Sequence, residues 1–421
     1  MKTTSLPTQA SLIGLGGIFA LVACGPETRT INGKVLDALG QPLSGATVIA
    51  GGKATATSAA GLFTAEDVHI PYDITVMTGD HLFVSTYQAL TRSDPTLPVK
   101  LARSAKLASV SGQLTGQFFP QPGSYVAGIA FSSREAIAMF VSAGRDGSFN
   151  FPTQSPLVWG GPATTNGTLH ALQWRVGSDL FPAEYQYGKR EIGQLTDRGI
   201  YSRQDVSLRP VANAPPLTGG ISIPSDYSII SKSLYIRFDD HSILPMLTDR
   251  SNTTSFSYML PNIAGASFTF AVLAQRAAGQ VVVVRTSLAP GSIAVNIPSG
   301  VSEAQAPLDS ASAIGVGTSF TWSGVAGMYE LELVPTDSTK PTYVVKTGAK
   351  SFIVPDLTQY GVTFPHGVNY QWEVIGDLTF NNSDAETGAE GLDYFNQQIS
   401  NKYKRDFVRG ASQIRSFTTV P

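Results

Sequence analysis

The sequence predicts an all-β chain built of tandem β-sandwich domains. Three observations predict it. The 421 residues include 41 glycines and 26 prolines beside a hydrophobic fraction of 42%, which suits short strands separated by turns. A strand-start pattern of apolar, x, Gly, x, apolar recurs three times, each copy followed by a turn and a phenylalanine. Each copy then closes on an alternating strand, which sends one set of side chains to a core and the other toward water.

The chain opens with Lys2 and an apolar run, Leu12-Ile13-Gly14-Leu15-Gly16-Gly17-Ile18-Phe19-Ala20, and ends this segment on Leu21-Val22-Ala23-Cys24. A membrane-spanning helix needs about 20 apolar residues, and this run is shorter and carries three glycines. A basic start, a short apolar core and small residues before a break form a leader. The layout resembles the signal peptide and lipobox of a bacterial lipoprotein. That resemblance implies cleavage after residue 23 and a lipid on Cys24. Gly25 follows in place of aspartate, which implies the outer membrane, or the outer face of the cytoplasmic membrane in a single-membrane organism. Cys24 is the only cysteine, so the chain after it is expected to have no disulfide, thiolate metal site or cysteine nucleophile.

The length after Cys24 suits several domains of about 100 residues each. The repeat divides the chain into 24–103, 104–211 and 212–302. Its strand starts are Ile31-Asn32-Gly33-Lys34-Val35, Val110-Ser111-Gly112-Gln113-Leu114 and Leu217-Thr218-Gly219-Gly220-Ile221. Its mid-unit phenylalanines are Phe63, Phe149 and Phe256, and its closing strands begin at Val99, Val206 and Val295. Gly40-Gln41-Pro42 breaks the first strand into a turn, Gly45 starts the return strand, and Gly61 allows a tight turn before Phe63. With Leu43-Ser44-Gly45-Ala46-Thr47-Val48, these residues resemble a carboxypeptidase regulatory-like domain, a transthyretin-like (prealbumin-like) sandwich. The family often has Asp where Ser58 stands. Its members are usually non-catalytic modules, so no active-site residue carries over. The second and third units are expected to be diverged relatives.

The fourth unit, 303–421, carries Ser319-Phe320-Thr321-Trp322, Tyr329-Glu330-Leu331-Glu332-Leu333-Val334, Ser351-Phe352-Ile353, His366-Gly367-Val368-Asn369-Tyr370-Gln371-Trp372 and Ser416-Phe417-Thr418-Thr419. In that order the landmarks resemble a fibronectin type III domain, with Tyr370 at the place of its corner tyrosine. Between its last two strands, about 381–411, lies a more charged segment expected to be a loop insertion with a short helix from Asp384 to Asn401. Segments of this length are often functional or disordered. Tyr394, Phe395, Tyr403 and Phe407 alternate there with Lys402, Lys404, Arg405 and Arg409. Aromatics beside cations stack on flat ligands or anchor protein interfaces. Equally, they dock a loop on its own sandwich while the charges stay in water.

No reaction is legible. There is no Gly-x-Ser-x-Gly elbow and no phosphate-binding Gly-x-x-x-x-Gly-Lys sequence. The five histidines lack the i, i+4 spacing of a helical zinc motif, so neither metal nor cofactor is expected. Asp239-Asp240-His241 reads as a polar turn, because neighbours on a strand point to opposite faces. Charged residues make up only 14% and the net charge is −2, so a phosphate-neutralising face for nucleic acid is not implied. Trp322 and Trp372 fall at core positions of the resembled family. Trp159, in a turn-rich stretch, is the better candidate for an exposed sugar platform.

The expectation is a non-enzymatic, lipid-anchored cell-envelope protein that displays an interaction module for protein partners. The tandem sandwiches would act as a spacer carrying the last domain away from the membrane. The candidate contacts are Tyr394, Phe395, Tyr403, Arg405, Phe407 and Trp159. The alternatives are a carbohydrate-binding accessory lipoprotein, or a hydrolase with a site assembled from remote residues.

Overall fold

A computed structural model describes residues 27–100, 105–116, 125–152, 156–177, 181–400 and 403–421. The leader, Cys24, Gly25, Leu101 and Lys402 lie outside the described residues. The chain is all-β, a set of two-layered sandwiches; among the described residues the helical elements are a single turn at Thr358–Tyr360 and short helices at Ser383–Glu386 and Ala389–Ser400.

The three repeat copies fold alike. In each, the strand bearing the repeated glycine lies between an antiparallel and a parallel neighbour; these three strands are a separate sheet in the first and third copies, while in the second the sheet runs on into the facing layer through the pairing of Pro182–Thr196 with Val206–Val211. Thr28–Leu36 pairs antiparallel with Leu62–His69 and parallel with Thr96–Pro98. Lys106–Gly116 does the same with Ser148–Phe151 and Val206–Val211, and Asn213–Ser222 with Ser255–Pro261 and Gly291–Asn296. The facing layer is a four-stranded antiparallel run in the order second, first, third, fourth. It is formed in the first copy by Lys53–Ala56, Thr47–Ala50, Tyr72–Met77 and Phe83–Leu90. The same order recurs in the next two copies.

The repeated glycine and phenylalanine are direct cross-strand partners: Gly33 with Phe63, Gly112 with Phe149, Gly219 with Phe256. A Cβ on these glycines would lie 2.3, 2.9 and 2.7 Å from Cζ of the facing ring. Only a residue without a side chain lets the ring cross the strand into the core.

The fourth unit sets Glu303–Ala306, Ser319–Ser323 and Ser351–Ile353 against a layer containing Thr342–Thr347, Met328–Pro335, Asn369–Asp377 and Phe407–Ser412. Trp322, Trp372 and Tyr370 are buried in its core, with Phe320 edge-on to Trp372 at 5.1 Å. The Tyr370 hydroxyl donates to the Pro341 carbonyl at 2.8 Å.

The units are not strung as a linear spacer. Thr342–Thr347 runs parallel to Phe83–Leu90 of the first unit, and Phe407–Ser412 runs antiparallel to Gly279–Leu288 of the third. One 14-stranded sheet therefore crosses units three, four and one, with the fourth wedged in the middle. Open strand edges offer unpaired N–H and C=O groups, and here the edges of separate units satisfy each other. Ile49, Met77 and Val84 of the first unit join the fourth unit's core, and Ala130, Leu172, Trp174 and Tyr185 of the second join the third's. The third unit also holds a fully buried lysine. Lys232 Nζ lies 2.9 Å from Asp249, 2.9 Å from Ser251 Oγ and 2.7 Å from Thr253 Oγ1.

Candidate functional site

The segment expected as a loop is two helices and a strand. Asn382 caps α1 (Ser383–Glu386), accepting from the Ala385 N–H at 2.9 Å. After α2 (Ala389–Ser400), Phe407–Ser412 returns as a strand of the long sheet. Asp384 reaches the first unit. Its carboxylate accepts from the backbone N–H of Thr91 at 2.8 Å and of Arg92 at 3.1 Å, and from the Thr91 hydroxyl. Arg92 donates back to the Asp384 carbonyl at 2.9 Å, and the Thr96 N–H donates to the Thr387 carbonyl. The insertion thus straps unit four to unit one.

Beneath this strap lies a buried ionic network. Lys100 Nζ is 2.5 Å from both Glu330 and Glu332, and Lys346 Nζ is 2.6 Å from Glu330 and 2.5 Å from Glu386. Arg409 reaches Glu330 at 3.4 Å and Asp377 at 3.5 Å. Burial disfavours a charge on Glu330, but Lys100, Lys346 and Arg409 outweigh it and hold its carboxyl well below the usual range. Burial and the neighbouring Glu330 charge push Glu332 the other way. The space among these groups and α2 is about 40 Å³. That volume admits water-sized species only, so the network is a clamp between units.

The expected aromatics pack inward. Tyr394, Phe395 and Phe407 are buried, Tyr403 is half-buried, and Tyr394, Phe407 and Tyr403 cluster with Met328, Phe380 and Val284. The Tyr394 hydroxyl donates to Asp377 at 2.6 Å. The buried rings are taken up by packing within the protein, which leaves only part of Tyr403 in contact with solvent. Trp159 is fully buried, and its indole N–H donates to the Pro162 carbonyl at 3.2 Å, so it forms no open platform. Arg405 is half-exposed, with its guanidinium 3.8 Å from Glu390.

The outer side of the same insertion lines a cleft that sequence reasoning missed. Asp393, Asn396 and Lys404 meet Ala38–Leu39–Gly40–Gln41 of unit one, Arg134, Glu135 and the 160–162 turn of unit two, and His241 of unit three. Its volume is about 520 Å³, inside the roughly 300–1,000 Å³ range of small-ligand sites. The unit-one wall is braced: the buried Asp37 carboxylate accepts from the N–H groups of Leu39 at 2.9 Å and Gln41 at 2.8 Å. Glu135 accepts from Ser133 and Thr165 hydroxyls, each at 3.2 Å. Asp393 and Asn396 are three apart on a helix and so share a face. That spacing was a readable signal; the company they keep was not.

Behind His241, its N–H donates to Asp239 at 2.8 Å. Asp239 also accepts from Ser132 Oγ at 2.6 Å and lies 3.4 Å from His170 Nε2. Burial opposes the Asp239 charge, yet the bonds from His170 and Ser132 hold its carboxyl below the usual range. His170 is stacked on Phe238 at 4.7 Å, with Nδ1 2.8 Å from the Tyr187 hydroxyl. Ser132 donates to the carboxylate rather than to the imidazole, so the serine–base bond of a nucleophilic triad is not formed. The group ties unit two to unit three.

Among the described residues no group of three or more His, Cys, Asp or Glu side chains is placed to hold a metal ion, and no helix is long and apolar enough to cross a membrane. No family model and no curated protein matches the chain. Among solved structures it is similar to the Bacillus anthracis TIE protein, at 10% identity and a TM-score of 0.17, over 64% of this chain and 50% of that one. The chain thus spans about half the length of that protein. It is also similar to BcpA, the major pilin subunit of Bacillus cereus, at 6% identity and a TM-score of 0.14, over 64% and 99%. GBS52, the minor pilin of Streptococcus agalactiae, is similar at 9% identity and a TM-score of 0.15, over 45% and 94%. At such low structural overlap these likenesses assign neither activity nor partner to this chain.

Proposed function

We propose that this chain is a non-enzymatic, lipid-anchored cell-envelope protein that engages a protein or glycan partner in the cleft where its four units meet. The observation that carries the reading is the cleft itself: a concave space of ligand size, with mixed polar and apolar walls, to which all four units contribute. In this reading units 24–103 and 303–421 are the carboxypeptidase regulatory-like and fibronectin type III-like modules, with two further sandwiches at 104–211 and 212–302. Cys24 carries the lipid. The insertion contributes through its outer polar side, while its aromatics hold it in place. The experiment is crosslinking capture from intact cells with the full-length lipoprotein and with an Asp393→Lys, Lys404→Glu variant. Both positions are exposed, and circular dichroism of the variant checks that it is folded. Loss of a captured envelope component in the variant supports the reading, and identical captures overturn it.

A further inference from the structure

We infer that two copies of this chain join edge to edge through the strand Gly291–Asn296, paired antiparallel about a two-fold axis at Ala294. The surface is separate from the cleft and does not rest on it. The reason lies in what each repeat copy does with its closing strand. In the second copy, Val206–Val211 pairs within its own unit, with the fourth strand of the facing layer, Pro182–Thr196. In the first and third copies that fourth strand is taken by unit four: Phe83–Leu90 by Thr342–Thr347, and Gly279–Leu288 by Phe407–Ser412. The closing strands of these two copies are left with one open side.

The first copy covers its open side. The Thr96 N–H donates to the Thr387 carbonyl of the insertion at 2.9 Å. Pro98 has no N–H, and its carbonyl accepts from the Tyr87 hydroxyl at 2.5 Å. The third copy leaves its side uncovered. Gly291–Asn296 runs parallel to Asn213–Ser222, and the Ile297 N–H continues that ladder to the Ser222 carbonyl. Alternation along the strand then turns the N–H and C=O groups of Ser292, Ala294 and Asn296 to the open side. Among the described residues no backbone group off that ladder bonds to them, and their side chains are exposed.

The sequence around this edge points to a second copy as its occupant. No charged residue lies between Ser287 and Gly300. Open edges are guarded against pairing by charges, as Lys53 guards the exposed strand at one end of the long sheet. A two-fold pair sets one stretch against itself, so a charge on it would tend to meet like charge, and this stretch brings none. With Ala294 on the axis, Ser292 faces Asn296 of the second copy and exchanges both hydrogen bonds with it, as the two Ala294 residues do with each other. That register satisfies every open N–H and C=O of the strand. It also extends to a second molecule the edge pairing by which this chain already joins its own units.

The test is disulfide crosslinking of the full-length protein on intact cells under mild oxidation, read on non-reducing gels. Facing residues of such a pair stand about 5.5 Å apart at Cα, within the roughly 4.4–6.8 Å a disulfide spans. Ala294→Cys should give a covalent dimer. The parent chain, whose only cysteine is Cys24, and Leu308→Cys, an exposed site on unit four, should not. Adding Ser292→Lys and Asn296→Lys sets lysine against lysine twice and should lower the dimer yield about tenfold. Ser292→Lys with Asn296→Glu sets opposite charges together and should restore it. Circular dichroism of the purified variants establishes that they are folded. No dimer from Ala294→Cys overturns the inference, as does an equal yield from Leu308→Cys or a yield indifferent to the charges. Crosslinking of Ala294→Cys to a different protein also overturns it, since the edge would then serve another partner.

Discussion

Gly33 and Phe63 sit opposite each other on neighbouring antiparallel strands, and the phenyl ring lies across the space a side chain on Gly33 would fill. The pair recurs as Gly112–Phe149 and Gly219–Phe256. The repeat visible in the sequence is therefore a repeated packing solution, in which one residue supplies the room the other needs. Gly33→Ala should lower stability by about 1–3 kcal/mol, since the new methyl meets the ring and the Pro95 carbonyl. Phe63→Ala should cost about 3–5 kcal/mol through the cavity it leaves. The double variant should lose less than the sum, because the methyl occupies space the ring has vacated. Urea unfolding of the four proteins measures this, and strict additivity would contradict the pairing.

Asp384 fastens the helical insertion to unit one through the Thr91 and Arg92 N–H groups and the Thr91 hydroxyl. Asp384→Ala should cost about 1–3 kcal/mol and speed hydrogen exchange at Thr91 and Arg92. Unchanged exchange there would show that the strap does not hold. Deleting 382–410 is a different experiment, because it removes most of the Phe407–Ser412 strand and uncovers Glu330. Such a deletion should misfold rather than report on partner binding.

Glu330 is the hub of the ionic clamp. Glu330→Gln leaves Lys100, Lys346 and Arg409 without their shared counter-charge and should destabilise by about 3–5 kcal/mol. The sign with pH follows from its depressed carboxyl. Its stabilisation is fully present above the ordinary glutamate pKa of about 4.3 and is lost as pH falls through the lower folded value. Thermal melts between neutral and acid pH should show a steeper acid loss for the native chain than for the variant. Parallel curves would remove Glu330 from this role.

Lys232 and Asp249 form a second buried pair, in the core of unit three. Burial opposes the Asp249 charge, while bonds from Lys232, Tyr258 and Ser251 outweigh it and hold the carboxyl at about 2. The stabilisation it contributes is present above the ordinary aspartate pKa of about 3.9 and lost as pH falls toward the folded value. Lys232→Met should cost about 3–5 kcal/mol by stranding the carboxylate, and adding Asp249→Leu should recover much of it. Guanidinium unfolding of both variants checks the order, and a double variant weaker than the single would refute it.

Cys24→Ser should abolish incorporation of labelled palmitate and release the protein from the membrane fraction with its melting temperature unchanged. Retained label would dismiss Cys24 as the site of lipid attachment.

The sequence by itself determined the class of fold and the landmarks of the repeat. Both are written in local signals: alternation along strands, turn glycines, and the Gly–Phe landmarks that turned out to be cross-strand partners. It also placed helix in the insertion, as one short helix from Asp384 to Asn401, where the structure has two, Ser383–Glu386 and Ala389–Ser400. It did not disclose that the fourth unit pairs with the first across some 260 residues of chain, as Val345 does with Thr86. Edge pairing between units depends on which edges stay open after each unit has folded, and no periodicity records that. The site followed the same division. The aromatic residues of the insertion were legible as apolar contacts, but only packing decided that Tyr394 and Phe407 face the sheet and that Phe395 is buried. The cleft gathers Gln41, Arg134, His241 and Asn396 from positions up to 355 residues apart. Side chains that distant become neighbours only through the assembled sandwiches, so their convergence belongs to the tertiary structure alone.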